Sequence, residues 1–435
     1  MNAFSPKLAK TAKTLRHVHA RGLRVVLITG HLPLQKRKAS MQWFCEDVQK
    51  RGGHVTMVSV GYSWISKWRK DRRLMQVDGP VPEGYRRITP SFDAYFGYAP
   101  IHPFSLRNRK LDTLAAPLMT LFRHFWARRL PALLAQADLV IIESGPPVLL
   151  ADIAKSAAPH AKFIYRISDD VKALGLPQIV RRAEMAQAHL FDRISIAGPQ
   201  IAARFDEHPQ TEIDPIGVPR AVLEAPMINP FLGKFGKQAV CAGTTQIDLA
   251  TARIMAEARP DWRFHILGRI ADVPADLPAN LILHGEVPYE VSAAYIRFAD
   301  IGLALYQDKA GAEYQAHHSN RMLLYRYFGL PILGPHRVFG GIALHGAGYD
   351  AHDPDSIRLA TERVAGLRRV AGDPEIEDWS RLTDRLLSVL PGIHRQVENG
   401  RMADQRSGMP AANGAEDPLA QLSCMHDPSL HGPHP

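Results

Sequence analysis

The chain has 435 residues, of which 46% are hydrophobic and 22% are charged, so it is long enough for two or three domains with ordinary cores. Its three cysteines (Cys45, Cys241 and Cys424) are far apart and show no metal-ligand spacing, which argues against a structural zinc site and favours a reducing compartment. No apolar run reaches the roughly 18 residues of a membrane span, and we expect no signal peptide, because the basic N-terminal stretch has no apolar core.

Positive charge is concentrated in the first half of the chain. The net charge is +10, but residues 1–200 hold 31 Lys and Arg against 14 Asp and Glu, whereas residues 201–435 hold 22 against 29. A surplus this large on one half predicts contact with an anionic membrane surface, anionic ligands or nucleic acid. We expect no nucleic-acid partner, because no nucleic-acid-binding module is visible in the sequence.

The first half predicts an α/β domain with a parallel sheet. A strand at 23–30, a helix at 39–51 and a strand at 54–60 form a βαβ unit. Its first turn lacks the G-x-G-x-x-G fingerprint, so we expect neither NAD nor FAD. Further strands are predicted at 137–144, 162–167, 193–197 and 211–216, with helices at 148–157 and 178–188.

An amphipathic basic segment follows the second strand. Trp64 and Trp68 are four residues apart, beside basic residues that include Lys67 and Arg69. This pattern is typical of a helix that lies in a membrane interface, where anionic lipids attract the basic side chains. The alternative is a surface helix whose tryptophans dock on the core. A second segment at 118–134, which carries Phe122, Trp126 and several arginines, is predicted to share that surface.

The second half predicts another α/β domain after a linker rich in proline and glycine. Strands are predicted at 238–245, 263–268, 281–286, 301–306 and 331–334, the last of which closes the series, with helices at 248–258, 291–298, 320–329, 356–367 and 376–390. The predicted division is a basic extension at 1–21, a first Rossmann-like domain at 22–218, a linker at 219–237, a second Rossmann-like domain at 238–372, a C-terminal helix at 373–390 and a disordered tail at 391–435. Two such domains facing a cleft suggest the GT-B architecture of nucleotide-sugar transferases.

The strand predicted at 162–167 ends in three polar residues, Ser168, Asp169 and Asp170. Ligands of open α/β sheets bind at the carboxyl ends of strands, so a carboxylate here is a candidate general base. The alternative is that one of these residues only caps the helix that follows. Two further candidate bases at strand ends are His31 and Glu143.

Polar residues at strand ends of the second half predict a nucleotide diphosphate site. Glu286 follows a strand, and a carboxylate there can accept hydrogen bonds from both ribose hydroxyls. Thr244 and Thr245 follow Gly243, where a diphosphate can approach the backbone. Asn320 and Arg321 open a helix, which combines free N–H groups with a forked cation.

The sequence offers one D-x-D pair of the kind that metal-dependent transferases place beside the diphosphate. This pair, Asp353-Pro354-Asp355, directly precedes the helix predicted at 356–367. A helix N-cap is the simpler interpretation, so we expect no metal site.

Several stretches resemble, in order, the GumK-type glucuronosyltransferases (glycosyltransferase family 70), which act in the assembly of xanthan-like exopolysaccharides. The similarity covers roughly residues 22–390. The stretches are Val25 to Phe44 with His31, Ile101-His102-Pro103-Phe104, Ile142-Glu143-Ser144-Gly145, Tyr165 to Asp169, Gly285-Glu286, Tyr325 to Pro331, Trp379-Ser380 and Thr383-Asp384-Arg385.

The resemblance implies an inverting, metal-independent transfer of glucuronic acid from UDP-glucuronate, with no cofactor. The acceptor it implies is a mannose-ending oligosaccharide on a polyprenyl diphosphate, at the cytoplasmic face of the inner membrane. It assigns the catalytic base to Asp169 and leaves Asp170 a solvated or capping role; His31 and Glu143 fall on the possible acceptor side. The UDP-sugar contacts it implies are Thr244, Thr245, Glu286, Tyr306, Asn320 and Arg321.

Two rival functions fit the sequence. One is a GT-B transferase that uses a different UDP-sugar. The other is a non-catalytic basic protein that binds membranes or polyanions, which predicts salt-sensitive binding and no stabilisation by UDP. We expect a peripheral membrane protein in either membrane-bound case, with Trp64, Lys67, Trp68 and Arg69 as the membrane contact.

Overall fold

The computed structural model describes residues 19–35, 38–71, 73–74, 77, 81, 83–104, 110, 112, 116–171, 175–205, 208–231, 233, 236–243, 247–270, 273–307, 318–340 and 343–391. The predicted basic extension and the predicted disordered tail lie almost wholly outside these residues. Within them, the strands form two separate sheets, and hydrophobic clusters cover both faces of each. The predicted α/β class with two parallel sheets is therefore confirmed.

The first sheet is built from β1 (Arg24–Thr29), β2 (His54–Ser59), β3 (Gly84–Thr89), β4 (Phe92–Phe96), β5 (Leu139–Glu143), β6 (Lys162–Ile167), β7 (Arg193–Ile196) and β8 (Thr211–Ile213). Their order is β3-β4-β2-β1-β5-β6-β7-β8, and every neighbouring pair is parallel except β3 with β4. The central strands β1, β5 and β6 are buried almost throughout, because their apolar side chains pack on both faces.

The second sheet is built from β9 (Gln238–Ala242), β10 (Arg263–Leu267), β11 (Leu281–Gly285), β12 (Ile301–Leu303), β13 (Ile332–Pro335) and β14 (Gly346–Tyr349). Their order is β11-β10-β9-β12-β13-β14, and all pairs are parallel. The first strand in sequence thus lies inside the sheet, as in other doubly wound folds, and its carboxyl end is a natural place for a ligand.

The α-helices of the described residues are α1 (Ser40–Lys50), α2 (Trp64–Trp68), α3 (Met119–Ala127), α4 (Leu130–Leu134), α5 (Ala151–Ala157), α6 (Gln178–Ala186), α7 (Pro199–Ala202), α8 (Arg220–Glu224), α9 (Leu249–Ala258), α10 (Tyr289–Phe298), α11 (Asn320–Tyr327), α12 (Pro354–Ala365) and α13 (Trp379–Leu387). Aspartates cap three of them through backbone N–H groups: Asp248 for α9, Asp353 for α12 and Asp378 for α13. The N-cap interpretation of the D-x-D pair is therefore confirmed.

Three strands were not predicted from the sequence. β3 and β4 form a hairpin at the edge of the first sheet, and β3 is largely exposed, with Arg86 and Arg87 in its middle. β14 consists of Gly346, Ala347, Gly348 and Tyr349, which lack the β-branched residues that mark a strand. The expectation that β13 closes the second sheet is therefore wrong.

The C-terminal helix α13 packs against the first sheet. Trp379, Leu382 and Leu386 join the cluster that contains Val25 and Leu27 of β1. Before this helix, Asp378 pairs with Val218 in a parallel bridge, so the two segments that connect the sheets run side by side. The predicted domain boundaries stay a prediction; α8 lies at the start of the predicted linker.

Candidate active site

A buried carboxylate connects three strand ends of the first sheet. β1, β5 and β6 are neighbours in the sheet order, so Thr29, Glu143 and Ser168 meet at one edge. The Thr29 and Ser168 hydroxyls each donate a hydrogen bond to Glu143, with Oγ–Oε distances of 2.5 and 2.9 Å. Glu143 is only 3% exposed, so these two hydroxyls replace the water that a buried carboxylate loses.

Asp169 lies in the turn directly after β6, half-buried at the edge of the sheet. Its backbone N–H donates to the Ser144 hydroxyl at 3.4 Å, and the Ser144 N–H donates to the Arg166 carbonyl at 2.8 Å. These contacts tie the turn that carries the candidate base to the end of β5. The predicted position of Asp169 at a strand end agrees with the structure, although its catalytic role stays a prediction.

Asp170, for which a solvated or capping role was predicted, has a side chain that is 18% exposed. Its carboxylate forms an ion pair with Arg204 at 3.0 Å, and Arg204 also approaches the buried Glu184 at 3.5 Å. The capping interpretation of Ser168, Asp169 and Asp170 is wrong, because α6 begins only at Gln178 and its N-cap is Pro177. Ser168 instead directs its hydroxyl to Glu143.

His31 follows β1 and approaches the same buried carboxylate. Its backbone N–H donates to Thr29 Oγ1 at 3.0 Å, and its Nε2 lies 4.0 Å from Glu143 Oε2. The His31 side chain is 46% exposed, so the imidazole borders solvent while Glu143 does not. The two residues assigned to the acceptor side therefore lie together, with His31 outermost.

Arg321 is the charged group at the carboxyl edge of the second sheet. It lies in the first turn of α11, is 6% exposed and donates from Nη1 to Cys241 Sγ at 3.4 Å. Its guanidinium stacks over the Tyr306 ring at 4.6 Å. Burial by itself would lower the pKa of Arg321, but Cys241, Tyr306 and Tyr325 raise this pKa above its ordinary value. The site therefore contains a permanent buried cation.

Gly243 leaves the space that the Arg321 side chain occupies. It follows β9 with a φ of +132°, and a Cβ atom at this position would lie 2.8 Å from Arg321 Nη2. An L side chain is strained at this φ and would also push the guanidinium away. The end of β9 and the start of α11 are thus fitted to each other.

The other predicted donor-site residues lie around this pair. Tyr306 is 5% exposed, burial raises its pKa, and its hydroxyl lies 2.5 Å from Ser319 Oγ. Glu286 follows β11, is half-buried and makes no hydrogen bond or ion pair with another described residue. Asn320 is the first residue of α11. Thr244 and Thr245 lie outside the described residues.

The carboxyl edges of the two sheets face each other. Gly198 follows β7 of the first sheet, and a Cβ atom there would lie 2.7 Å from Cδ2 of His318, which precedes α11 of the second sheet. The carboxyl edge that carries Asp169 and the edge that carries Arg321 therefore approach each other at this contact. The sequence does not reveal this contact, because it depends on how the two sheets are placed relative to each other.

The sequence pattern also missed a pair of histidines in the second sheet. His265 Nδ1 on β10 lies 2.9 Å from His284 Nε2 on β11, and His265 Nε2 lies 2.9 Å from Gln238 Oε1 on β9. Burial, then His284 and Arg263, lower the pKa of His265 to about 4. Alternating residues on adjacent strands are the only sequence signal for such a pair.

The tryptophans of the basic segment point outwards. α2 has only five residues, and Ser63 caps it through the Ser66 N–H. Trp64 is 62% exposed and Trp68 82% exposed, so the alternative that they dock on the core is wrong. The second segment, at 118–134, does not present its aromatic residues in this way, because Phe122 and Trp126 are fully buried. Its exposed large hydrophobic residues are Leu118 and Leu121.

Within the described residues, no helix has the length and apolar character needed to cross a bilayer. In the same part of the chain, no three His, Cys, Asp or Glu side chains are grouped so that they could hold a metal ion.

Comparison with known proteins identifies the relatives of this chain. Residues 27–197 match the family described as "Glucuronosyltransferase GumK, N-terminal domain". The UDP-glucuronate:glycolipid 2-beta-glucuronosyltransferase of Xanthomonas campestris pv. campestris is 25% identical over 364 residues, which cover 83% of this chain and 88% of the relative. The resemblance stated from the sequence is thereby confirmed.

Solved structures share the fold at low sequence identity. The apo structure of OtsA aligns with a TM-score of 0.50 and 10% identity, covering 89% of this chain and 100% of that chain. The glycotransferase of kitacinnamycin aligns with a TM-score of 0.45 and 14% identity, covering 90% of this chain and 99% of that chain. The GT-B fold class is confirmed, and at 10% identity the likeness to OtsA concerns the fold alone.

Proposed function

The chain is a GT-B glycosyltransferase related to the GumK-type glucuronosyltransferases, and on that premise we propose that it transfers glucuronic acid from UDP-glucuronate to a glycolipid. The observation that carries the proposal is a carboxylate, Asp169, at the carboxyl edge of the first sheet and a buried cation, Arg321, at that of the second. We infer that the two residues face each other across a cleft between the sheets. A base and a site for an anionic leaving group are the two requirements of glycosyl transfer from a nucleotide diphosphate.

The proposed reaction is one inverting displacement. The acceptor hydroxyl oxygen attacks the anomeric carbon of the donor, and the bond between that carbon and the diphosphate oxygen breaks. Asp169 takes the hydroxyl proton, and UDP leaves with the electron pair of the broken bond. A single displacement on the face opposite the leaving group inverts the anomeric configuration. A positioned base of this kind contributes roughly 10²- to 10⁴-fold to the rate.

The leaving diphosphate gains negative charge in this step, and the second sheet supplies the stabilisation. The Arg321 guanidinium is already buried beside Gly243 and needs no reorganisation as charge develops. Ser319 does not cap α11, because its hydroxyl contacts Tyr306; the first N–H groups of the helix are therefore left for the phosphates. We propose that these groups act in place of a metal ion, with Thr244, Thr245, Glu286 and Asn320 as further contacts to UDP.

We propose as acceptor a mannose-ending oligosaccharide on a polyprenyl diphosphate, in exopolysaccharide synthesis at the cytoplasmic face of the inner membrane. Support comes from the exposed Trp64 and Trp68, which flank Lys67 and precede Arg69. Exposed tryptophans beside basic side chains favour an anionic lipid interface. Such a surface would hold the enzyme where its lipid-linked acceptor is found.

Product analysis tests the activity. Purified protein is incubated with a panel of UDP-sugars and a lipid-linked mannosyl acceptor, and the products are identified by mass spectrometry. Addition of one glucuronosyl unit is the expected result, and faster addition of another sugar would identify a different UDP-sugar as the donor. No product, together with no thermal stabilisation by millimolar UDP, would instead favour the non-catalytic polyanion-binding protein.

Vesicle binding tests the membrane contact. The double variant W64A/W68A is expected to co-sediment several-fold less than the unmodified protein with vesicles of phosphatidylglycerol and phosphatidylethanolamine. The control is Tyr85→Ala, which removes an aromatic side chain of comparable exposure, 52%, from β3. Equal loss in both variants would contradict a contact specific to Trp64 and Trp68.

A further inference from the structure

A row of buried polar side chains crosses the first sheet just beneath the candidate base. Thr29, Glu143, Arg166 and Ser195 occupy aligned positions on the adjacent strands β1, β5, β6 and β7, and each is between 0 and 3% exposed. Aligned residues on adjacent strands project from the same face, so these side chains are neighbours. Buried polar residues at aligned positions on four neighbouring strands need a reason beyond packing.

Charge alternates along this row. The Arg166 guanidinium has no solvent exposure; its Nη1 donates to Ser195 Oγ at 2.9 Å and to the Asp214 carbonyl at 2.7 Å. The Asp214 carboxylate accepts from Ser195 Oγ at 2.6 Å. Burial lowers the pKa of Arg166 to about 10, and the anions Asp214 and Glu143 oppose this effect. Glu143 therefore has a buried cation as its neighbour on β6.

Glu143 is badly placed to be a base. Both of its oxygens already accept hydrogen bonds, from Thr29 and Ser168, and it is 3% exposed. A base must reach the acceptor hydroxyl within about 3 Å, and a side chain covered in this way cannot. Its contacts instead fix Ser168, the residue that directly precedes Asp169.

We propose that Glu143 is a positioning residue for Asp169. Its charge, held by Arg166, fixes the Ser168 hydroxyl, and the Ser144 hydroxyl fixes the Asp169 N–H. Together these contacts hold the turn that carries the Asp169 carboxylate. The inference rests on the proposed transfer reaction and concerns how its base is held.

Glu143→Gln tests the charge with little change of shape. The amide can still make one acceptor and one donor contact with hydroxyls that rotate, so the hydrogen-bond count is retained while the anion beside Arg166 is lost. We expect kcat to fall roughly 10- to 100-fold, because a small displacement of a catalytic group has effects of this size. The KM for the donor and the thermal shift with UDP should not change, since both report on the second sheet.

Ser168→Ala is the second variant, because it removes only the contact between Glu143 and the turn. Its kcat should also fall. In the double variant, the fold-loss of kcat should be smaller than the product of the two single fold-losses. The matched control is Asp93→Asn, a carboxylate on β4 that is 3% exposed, pairs with His54 and Arg87 and lies away from the cleft. Its kcat should stay near that of the unmodified protein.

The outcomes separate this inference from the proposed function. If the unmodified protein and Asp93→Asn transfer sugar but Glu143→Gln does so at full kcat, the positioning role is wrong. A loss in Glu143→Gln as complete as that in Asp169→Ala, with Ser168→Ala fully active, would also overturn it and make Glu143 the base. If the unmodified protein transfers no sugar, the proposed function fails first.

Discussion

The two edges of the cleft are built by opposite means. In the first sheet, polar side chains on four adjacent strands are aligned and buried. Glu143 and Arg166, which carry opposite charges, are neighbours among them. In the second sheet, the backbone of β9 ends in Gly243, and the buried cation beside it is Arg321 of α11. One edge thus fixes the orientation of a side chain, whereas the other leaves room for a ligand beside a buried cation. This difference suits proton removal on one side and diphosphate binding on the other.

Removing the carboxylate of Asp169 should have the largest effect of these changes. A small effect would contradict the assignment of proton removal to the first sheet's edge. In Asp169→Ala, transfer should fall at least about 10³-fold, because the acceptor hydroxyl loses the base proposed for it. Stabilisation by UDP in a thermal-shift assay should survive, since UDP contacts the other edge. Turnover is measured by mass spectrometry of the product.

Asp170→Asn is the matched control for this variant. It removes the adjacent charge, whose partner is Arg204 at 3.0 Å, and it should reduce kcat only a few-fold. If Asp170→Asn loses activity while Asp169→Ala keeps it, the two carboxylates have exchanged roles.

Arg321→Met should produce the reverse pattern at the second edge. UDP should no longer stabilise the protein, and kcat/KM for the donor should fall about 10²-fold, as when one preorganised charge contact to a transition state is lost. Arg321→Lys keeps the charge without the fork and should recover part of the loss. Isothermal titration with UDP measures the affinity.

The control on the same helix is Arg326→Met. Arg326 pairs with Asp373 on the far side of α11, so this variant loses a partly buried arginine contact without touching the cleft. Weakened UDP binding in Arg326→Met as large as in Arg321→Met would mean that helix stability, not the cation, governs binding.

Gly243→Ala tests UDP binding at the second edge by adding one carbon atom next to Arg321. At a φ of +132° the added Cβ would lie 2.8 Å from Arg321 Nη2, so the guanidinium must move. We expect UDP to bind roughly 10-fold more weakly, since conformations of this kind cost about 1–3 kcal/mol. Gly366→Ala, at the end of α12 with φ −78° and no atom closer than 3.9 Å, should leave UDP binding unchanged.

The sequence predicted those strand and helix positions that depend on residues close together in the chain. β1 and β5 contain continuous apolar runs, β6 is mostly apolar, and the aspartate cap of α12 precedes an amphipathic helix, so their positions follow from residue type. The strand-end positions of Asp169 and Glu286 followed in the same way. Their catalytic and binding roles came from family resemblance and stay predictions.

What the sequence could not predict depends on residues that meet across strands. The contact of Ser168 with Glu143 joins residues 25 positions apart, and the alignment of Glu143 with Arg166 requires the register of β5 and β6. The capping interpretation failed for the same reason: a polar residue after a strand can serve either a helix or a neighbouring strand. β14 was missed because its glycines carry no strand signal.

A pH effect on stability should be the smallest of the expected changes. It arises from the neutral histidine pair of the second sheet, whereas the buried row of the first sheet is charged. His265 Nε2 donates to Gln238 Oε1, so its Nδ1 accepts from His284, and a second proton would set two donors against each other. Burial, followed by His284 and Arg263, lowers the pKa of His265 to about 4.

Because that pKa lies below the unfolded value of about 6.5, the unfolded state binds more protons between these limits, and stability is lost as the pH falls from about 6.5 to about 4. For this partly solvated pair we expect His265 to contribute about 1–2 kcal/mol to the loss between pH 7 and pH 5. Urea unfolding at the two pH values should show a smaller difference in His265→Gln than in the unmodified protein. His345→Gln, which changes a partly exposed histidine bonded to the Arg368 carbonyl, should keep the original difference. If His265→Gln keeps it as well, the acid sensitivity of the fold must arise elsewhere, and the charged row of the first sheet becomes the first place to measure it.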